Sequence, residues 1–481
     1  MARVSVTEPV ATASVPARTA DLFAPGLRGL TLGLILTITL VALESLAIGT
    51  VMPMVTDELG QLALYGWVYS AFFLGNLVGI VIAGGALDRM PLHRPFAVGL
   101  GLFAFGLLLG GLAPSMPILV GARFIQGLGG GAVGPTAYVA IGRCMPDRLQ
   151  PRMFALLSTA WVVPGIIGPS IAAVVGELAG WRWVFLGLLP FLLLAGALAL
   201  TSLRRVEGGP PDDIEHEHGT GARFVRAVAA AGGAGILLAA LGVTEIWVMV
   251  GGTAVGAALL VPAFRSLTPR GTLLLVVGVP AAVMLRALMT FAFFSGDAYI
   301  PLLLQTWRET PVFLTGVVFT ATTVAWTVGT WIQARRIDHY GPRVFVALGF
   351  ALVAVGAALT IPAVLPGVPP EVTIITWTIP GLGMGFMYSA VTLVVLRGVG
   401  QATQGSASSA IQLSDILGTA LGTGIGGAIT AAGERAGPDG LGTALAVVFA
   451  MSLVVSLLGL LASRRLGAVS PSWKPQVAAV D

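Results

Sequence analysis

The chain has 481 residues, of which 56% are hydrophobic and only 10% charged. Soluble domains carry about 25% charged residues, so a water-surrounded globule is excluded and a chain solvated largely by lipid is indicated. The formal net charge of +4 does not point to nucleic acid, because the basic residues sit in short loops. One cysteine, Cys144, excludes an internal disulfide, and four histidines give little basis for a Cys/His metal site.

Residues 1–28 read as a flexible tail, and no short apolar core with a cleavage site suggests a signal peptide. Fourteen segments then approach the ~20 apolar residues that a bilayer requires. They fall near 29–54, 64–87, 95–114, 117–141, 153–176, 183–202 and 224–243, then 245–264, 277–304, 312–334, 343–363, 372–396, 405–431 and 441–462. The seventh and eighth are joined so tightly near Glu245 that one re-entrant hairpin would give a similar trace. With both termini cytoplasmic, 21 of the 26 Lys and Arg residues lie on that side. Arg182, Arg308 and Arg435 lie opposite, and Arg123 and Arg286 fall within spans. That asymmetry fits the positive-inside rule, and the cell membrane is the expected location.

The expected fold is all-α and polytopic: a six-helix bundle at 29–203, a cytoplasmic linker at 204–222, two extra helices at 223–264, a second six-helix bundle at 265–465 and a tail at 466–481. The linker is rich in charge, Pro and Gly, and its His216 and His218 read as solvated rather than metal-binding. The two extra helices either join the halves or shield one side of the bundle from lipid.

Taken in chain order, the spans carry several residues that lipid does not favour. The first holds Glu44 and then Pro53; the ninth echoes it with Asp297 and Pro301. The second carries Gly75, Gly79 and Ala83 at i, i+4 and i+8, a spacing that lets helices approach closely. Its loop contains Asp88 and Arg89, echoed after the tenth span by Asp338. The fourth buries Arg123 and follows it with Gln126 and a run of glycines. An arginine at a helix centre costs roughly 2.5–3.5 kcal/mol on insertion scales, so it marks a partner or a water-filled path. The fifth contains Pro164, Gly168 and Pro169, and the two prolines bend it. Arg286, near the start of the ninth span, is expected to snorkel to the interface. The thirteenth holds Asp415, with Gly418, Gly422 and Gly426 after it.

Low dielectric disfavours a bare carboxylate, so acids inside spans become groups that bind and release protons. Glu44, Asp297 and Asp415, with Arg123 as the fixed charge beside them, are the candidate proton-coupling set. Each acid has a structural alternative: a permanently protonated Glu44, an interfacial Asp297, or an Asp415 paired with Gln412 or a neighbouring helix. Tyr69, Gln126, Trp161, Trp326, Trp377, Met384, Tyr388 and Gln412 are the candidate walls of a largely apolar cavity.

The motifs together resemble the major facilitator superfamily, and within it the fourteen-helix drug:proton antiporters. Arg123, Gln126 and Gly127 match its fourth-helix R-x-x-Q-G pattern. Pro164 with Gly168 and Pro169 resembles its antiporter motif, and residues 181–185 resemble the start of its sixth helix. Residues 43–53 are similar to its first-helix signature, with Glu44 where aspartate is common. Residues 84–94 resemble its loop motif but depart from it at Pro91 and Leu92. The resemblance implies gating contacts at Asp88, Arg89 and Asp338. It also implies exchange of small molecules for protons. The largely apolar cavity candidates suit lipophilic molecules and Glu44 favours cationic ones, and a monomer with no cofactor beyond the proton gradient is expected. Other readings stand beside it: an exporter of endogenous lipids or glycolipids, a proton-coupled importer, and a non-transporting sensor or scaffold. No nucleophile–base pair or metal constellation suggests an enzyme.

Overall fold

In lipid every backbone N–H and C=O must find its partner within the protein, and a helix achieves this inside one segment. The structure, a computed structural model, describes residues 19–87, 90–146, 149–206, 220–399, 404–437 and 439–466. All its regular elements are helical, and fourteen stretches among the described residues are long and apolar enough to cross a bilayer.

The first bundle comprises α1 (Arg28–Leu59), α2 (Tyr65–Leu87), α3 (His93–Gly111), α4 (Met116–Cys144), α5 (Gln150–Ala179) and a sixth span. That sixth span is built from α6 (Arg182–Leu186) and α7 (Leu189–Val206). Two further helices follow, α8 (Thr220–Leu241) and α9 (Ile246–Leu267). The second bundle comprises α10 (Val279–Asp297), α11 (Val312–Tyr340), α12 (Pro342–Thr360), α13 (Val372–Arg397), α14 (Gln404–Arg435) and α15 (Gly440–Ala462). After Pro301 the ninth span continues as a π-helical turn, Leu302–Trp307. The re-entrant alternative at Glu245 is replaced by two full helices of 22 residues each.

An even number of spans leaves both ends of the fold on one face, here called terminal, with the opposite face called distal. Within each bundle, small residues let backbones touch. A Cβ added at Gly75 would lie 2.2 Å from Phe124 O, and one at Gly79 would lie 2.3 Å from Leu128 O, binding α2 to α4. In the second bundle a Cβ at Gly418 would lie 2.3 Å from Ala287 O, binding α14 to α10. Both stripes therefore join helices of one bundle rather than one bundle to the other.

The hydrogen bonds that cross between bundles lie toward the distal face. Tyr65 Oη donates to Ala298 O at 2.9 Å, and Ser70 Oγ to Ala420 O at 2.9 Å. Gln305 Nε2 donates to Thr50 O at 2.8 Å, and Thr320 Oγ1 to Ile166 O at 2.9 Å. The helix α8 packs on both α2 and α14, and α9 packs on α8. Leu74 and Leu77 of α2, Ala230 and Ala234 of α8, and Leu413 and Leu417 of α14 form one apolar cluster. The extra helices thus shield one side of the seam between bundles.

Candidate functional site

The arginine that the apolar α4 carries is enclosed: Arg123 is 2% exposed and its partner Glu44, on α1, 1%. Arg123 Nη1 donates to Glu44 Oε1, and at 2.7 Å to Gln126 Oε1 one turn further along α4. Its Nε donates to Val68 O at 3.3 Å, and its guanidinium lies 4.4 Å from the Phe72 ring centroid. The close approach of α4 to α2 brings these groups together: a Cβ at Gly127 would lie 2.0 Å from Phe72 O. Glu44 Oε2 and Gln126 Nε2 are buried without a hydrogen-bond partner. Buried polar atoms are rarely left so, and a spare carboxylate oxygen beside a fixed cation can take up a proton.

The antiporter-like segment of α5 stands directly behind this pair. Pro164, Gly168 and Pro169 are buried, and a Cβ at Gly168 would lie 2.9 Å from the side chain of Leu43, the neighbour of Glu44. The same stretch of α5 meets α11, where Ser170 Oγ lies 3.2 Å from Thr320 Oγ1. It therefore touches both the acid-bearing helix and the opposite bundle.

A second ion pair sits in the other bundle. Arg286 of α10 is 4% exposed rather than snorkelling to the interface, which corrects the sequence expectation. Its Nε donates to Asp415 Oδ1 at 2.9 Å and its Nη2 to Asp415 Oδ2 at 3.3 Å. Its Nη1 donates to Tyr388 O at 3.0 Å and to Thr392 Oγ1 at 3.2 Å. Tyr388 completes the cluster: its hydroxyl donates to Asp415 Oδ2 at 2.9 Å, and its ring centroid lies 3.3 Å from the guanidinium carbon. Asp415 thus pairs with α10 and α13 and not with Gln412, which is exposed and lies 3.5 Å from Ser408 Oγ. A snorkelling arginine needs an exposed route to the interface; Arg286 has a carboxylate inside instead.

The remaining candidates divide. Trp326 packs on Tyr388, with ring centroids 5.4 Å apart, so both belong to the second cluster. Asp297 accepts a hydrogen bond from Trp377 Nε1 at 2.8 Å and pairs with no cation among the described residues. Trp377 and Met384 are fully buried in helix packing, so neither forms the cavity wall expected of it. Tyr69 lies at the distal seam, its hydroxyl 3.5 Å from that of Tyr65. Trp161 is 47% exposed, one turn nearer the terminal face than Gly165, which packs on Thr323. Asp338 is exposed at the end of α11, while Asp88 and Arg89 lie outside the described residues.

The comparisons with known proteins agree with this architecture. The Major Facilitator Superfamily model matches residues 32–423. A probable multidrug-efflux transporter of Mycobacterium tuberculosis is 26% identical over 444 residues, covering 87% of this chain and 91% of that one. Multidrug resistance protein 3 of Bacillus subtilis is 31% identical over 169 residues, 35% of this chain and 32% of that one. Among solved structures, a POT family transporter in complex with a thioalcohol-conjugated peptide has a TM-score of 0.69 at 14% identity, covering 94% of this chain and all of that one. The nucleoside transporter NupG, solved as a point mutant, has a TM-score of 0.63 at 14% identity, covering 91% of this chain and all of that one. At that identity the two structures speak to the fold alone. With a family model matching most of its length and fourteen span-length helices, the chain belongs to the Major Facilitator Superfamily of membrane transporters.

Proposed function

We propose that the chain is a drug efflux transporter that exchanges lipophilic, cationic molecules for protons, in the cell membrane, as a monomer with both termini cytoplasmic. The observation that carries this reading is Glu44: a fully enclosed carboxylate with one oxygen on Arg123 and the other unused. The multidrug-efflux relatives support drug export, and the excess of Lys and Arg on the terminal side supports the orientation.

In this cycle a proton arriving on Glu44 loosens its hold on Arg123 and cancels the charge that favours a cation. Substrate and proton then compete for one group, which couples their movements. The Pro164–Pro169 segment of α5 carries the change from α1 to the bundle interface, since it touches both. Trp326, Tyr388 and Trp161 supply aromatic faces that attract organic cations. Asp297 is a secondary proton site, while Asp415, bound at both oxygens, leaves the proton-coupling set and holds the second bundle together.

The test uses inverted membrane vesicles with an imposed proton gradient and a fluorescent lipophilic cation. The native protein is expected to accumulate the dye, and Glu44→Gln to lose gradient-dependent uptake. Equal uptake by both would remove Glu44 from the coupling path. Uptake by neither, with folded protein confirmed, would favour export of an endogenous lipid.

A further inference from the structure

Away from both ion pairs, the terminal ends of α11 and α12 enclose a groove of about 440 Å³ against α13. Its floor is aromatic: Phe345 and Phe386 stand edge to face with centroids 5.6 Å apart. Its walls are aliphatic, with Ile332 on α11 and Val344 and Leu348 on α12, all three exposed. Its rim is cationic. Arg335 and Arg336, in the last turns of α11, both line it, both are exposed, and neither makes an ion pair or side-chain hydrogen bond among the described residues. Asp338 and His339 follow on the same helix end, and Tyr340 closes that side.

We propose that this groove is a binding site for an anionic phospholipid of the leaflet on the terminal face. Three features select that occupant. First, the groove opens away from the seam between bundles: α12 packs on α13, α15 and α11 of its own bundle. Its exposed residues Val344, Leu348, Val355 and Leu359 form one apolar stripe leading toward the distal face. What covers such a stripe in a membrane protein is an acyl chain. Second, polarity is graded along the groove, charged at the terminal end and apolar one turn deeper, as it is along a phospholipid. Third, two guanidiniums present planar forks of donors that suit a phosphodiester, and basic pockets between helices on this side of a membrane hold anionic headgroups. The volume suits a headgroup and the upper part of one chain, with the rest of the lipid lying along α12. A zwitterionic headgroup brings its own ammonium to the two arginines and gains less.

The experiment is native mass spectrometry of the full chain, delipidated in detergent and titrated with palmitoyl-oleoyl phosphatidylglycerol or the phosphatidylcholine with the same chains. The native protein is expected to retain one phosphatidylglycerol at activation energies that strip phosphatidylcholine. R335Q/R336Q, which removes two surface charges, is expected to weaken that adduct roughly thirtyfold, leaving the phosphatidylcholine adduct unchanged. Leu348→Trp fills the groove without touching the charges, and is expected to displace the retained lipid as well. Equal retention of the two lipids by the native protein would overturn the proposal. So would a variant pair in which the arginines matter and the groove does not, since headgroup attraction alone would then explain the adduct.

Discussion

In the first bundle the acid sits on α1 and the arginine on α4, and both are enclosed, at 1% and 2% exposure. In the second the arginine sits on α10 and the acid on α14, and that acid is 25% exposed. The two pairs also differ in how fully their atoms are used. Asp415 accepts hydrogen bonds at both oxygens, from Arg286 and from Tyr388, and Arg286 places both Nη1 donors on Tyr388 O and Thr392 Oγ1. Glu44 uses one oxygen and leaves the other bare, and the Gln126 amide beside it also lacks a partner. A saturated pair gains nothing from a further proton and holds three helices together. An under-used pair is the one whose bonding changes when a proton arrives. The difference assigns switching to the Glu44–Arg123 pair and anchoring to the Arg286–Asp415 pair.

The largest test of that contrast is Arg123→Leu. Removing one partner of a fully buried pair leaves a stranded charge, at a cost of about 3–5 kcal/mol in stability. The double variant E44L/R123L should recover most of that loss, because a buried pair replaced by apolar residues is often neutral or better. Unfolding of the purified protein in detergent measures both. Arg286→Leu should cost less, about 1–3 kcal/mol, because Asp415 keeps the Tyr388 hydroxyl and meets solvent over a quarter of its surface. If the two single variants lose the same stability, the distinction between an enclosed and an open pair is wrong.

Why one pair was legible in the sequence and the other only half so follows from what hydropathy can see. A charge in an apolar segment stands out wherever it points, so Glu44, Arg123 and Asp415 were all visible, as were the spans themselves. What a charge points at is invisible when the helix around it is apolar on every side. Arg286 lies in the third turn of α10, and distance along the helix suggested the interface, whereas the orientation of that turn delivers it to Asp415. One available signal was the co-occurrence of in-span charges of opposite sign, Arg286 and Asp415, within one bundle. Trp377 and Met384 failed for the same reason: α13 is apolar all round, so periodicity does not separate a wall from a core. The spacing of Gly75 and Gly79 on α2 and of Gly418, Gly422 and Gly426 on α14 marks contact surfaces, but only the packing shows that these stripes join helices of one bundle, whereas Gly66 and Gly427 meet across the two bundles.

The smallest effect is the sharpest on the anchoring role of the second pair. Tyr388→Phe removes the hydroxyl that donates to Asp415 Oδ2 but keeps the ring 3.3 Å from the guanidinium carbon and the backbone oxygen that accepts from Nη1. A typical net hydrogen bond contributes about 0.5–1.5 kcal/mol, and the partial exposure of Asp415 lets water replace the lost donor, so the lower end is expected. Tyr388→Leu also removes the ring, and should cost a further ~0.5–2 kcal/mol of cation–π attraction. Detergent unfolding of the two variants side by side separates the contributions. An equal loss in both would place the anchoring in the hydroxyl alone and make the stacked ring incidental. A loss in Tyr388→Phe as large as in Arg286→Leu would mean that Asp415 depends on tyrosine as much as on arginine, so that the second pair is a three-residue unit.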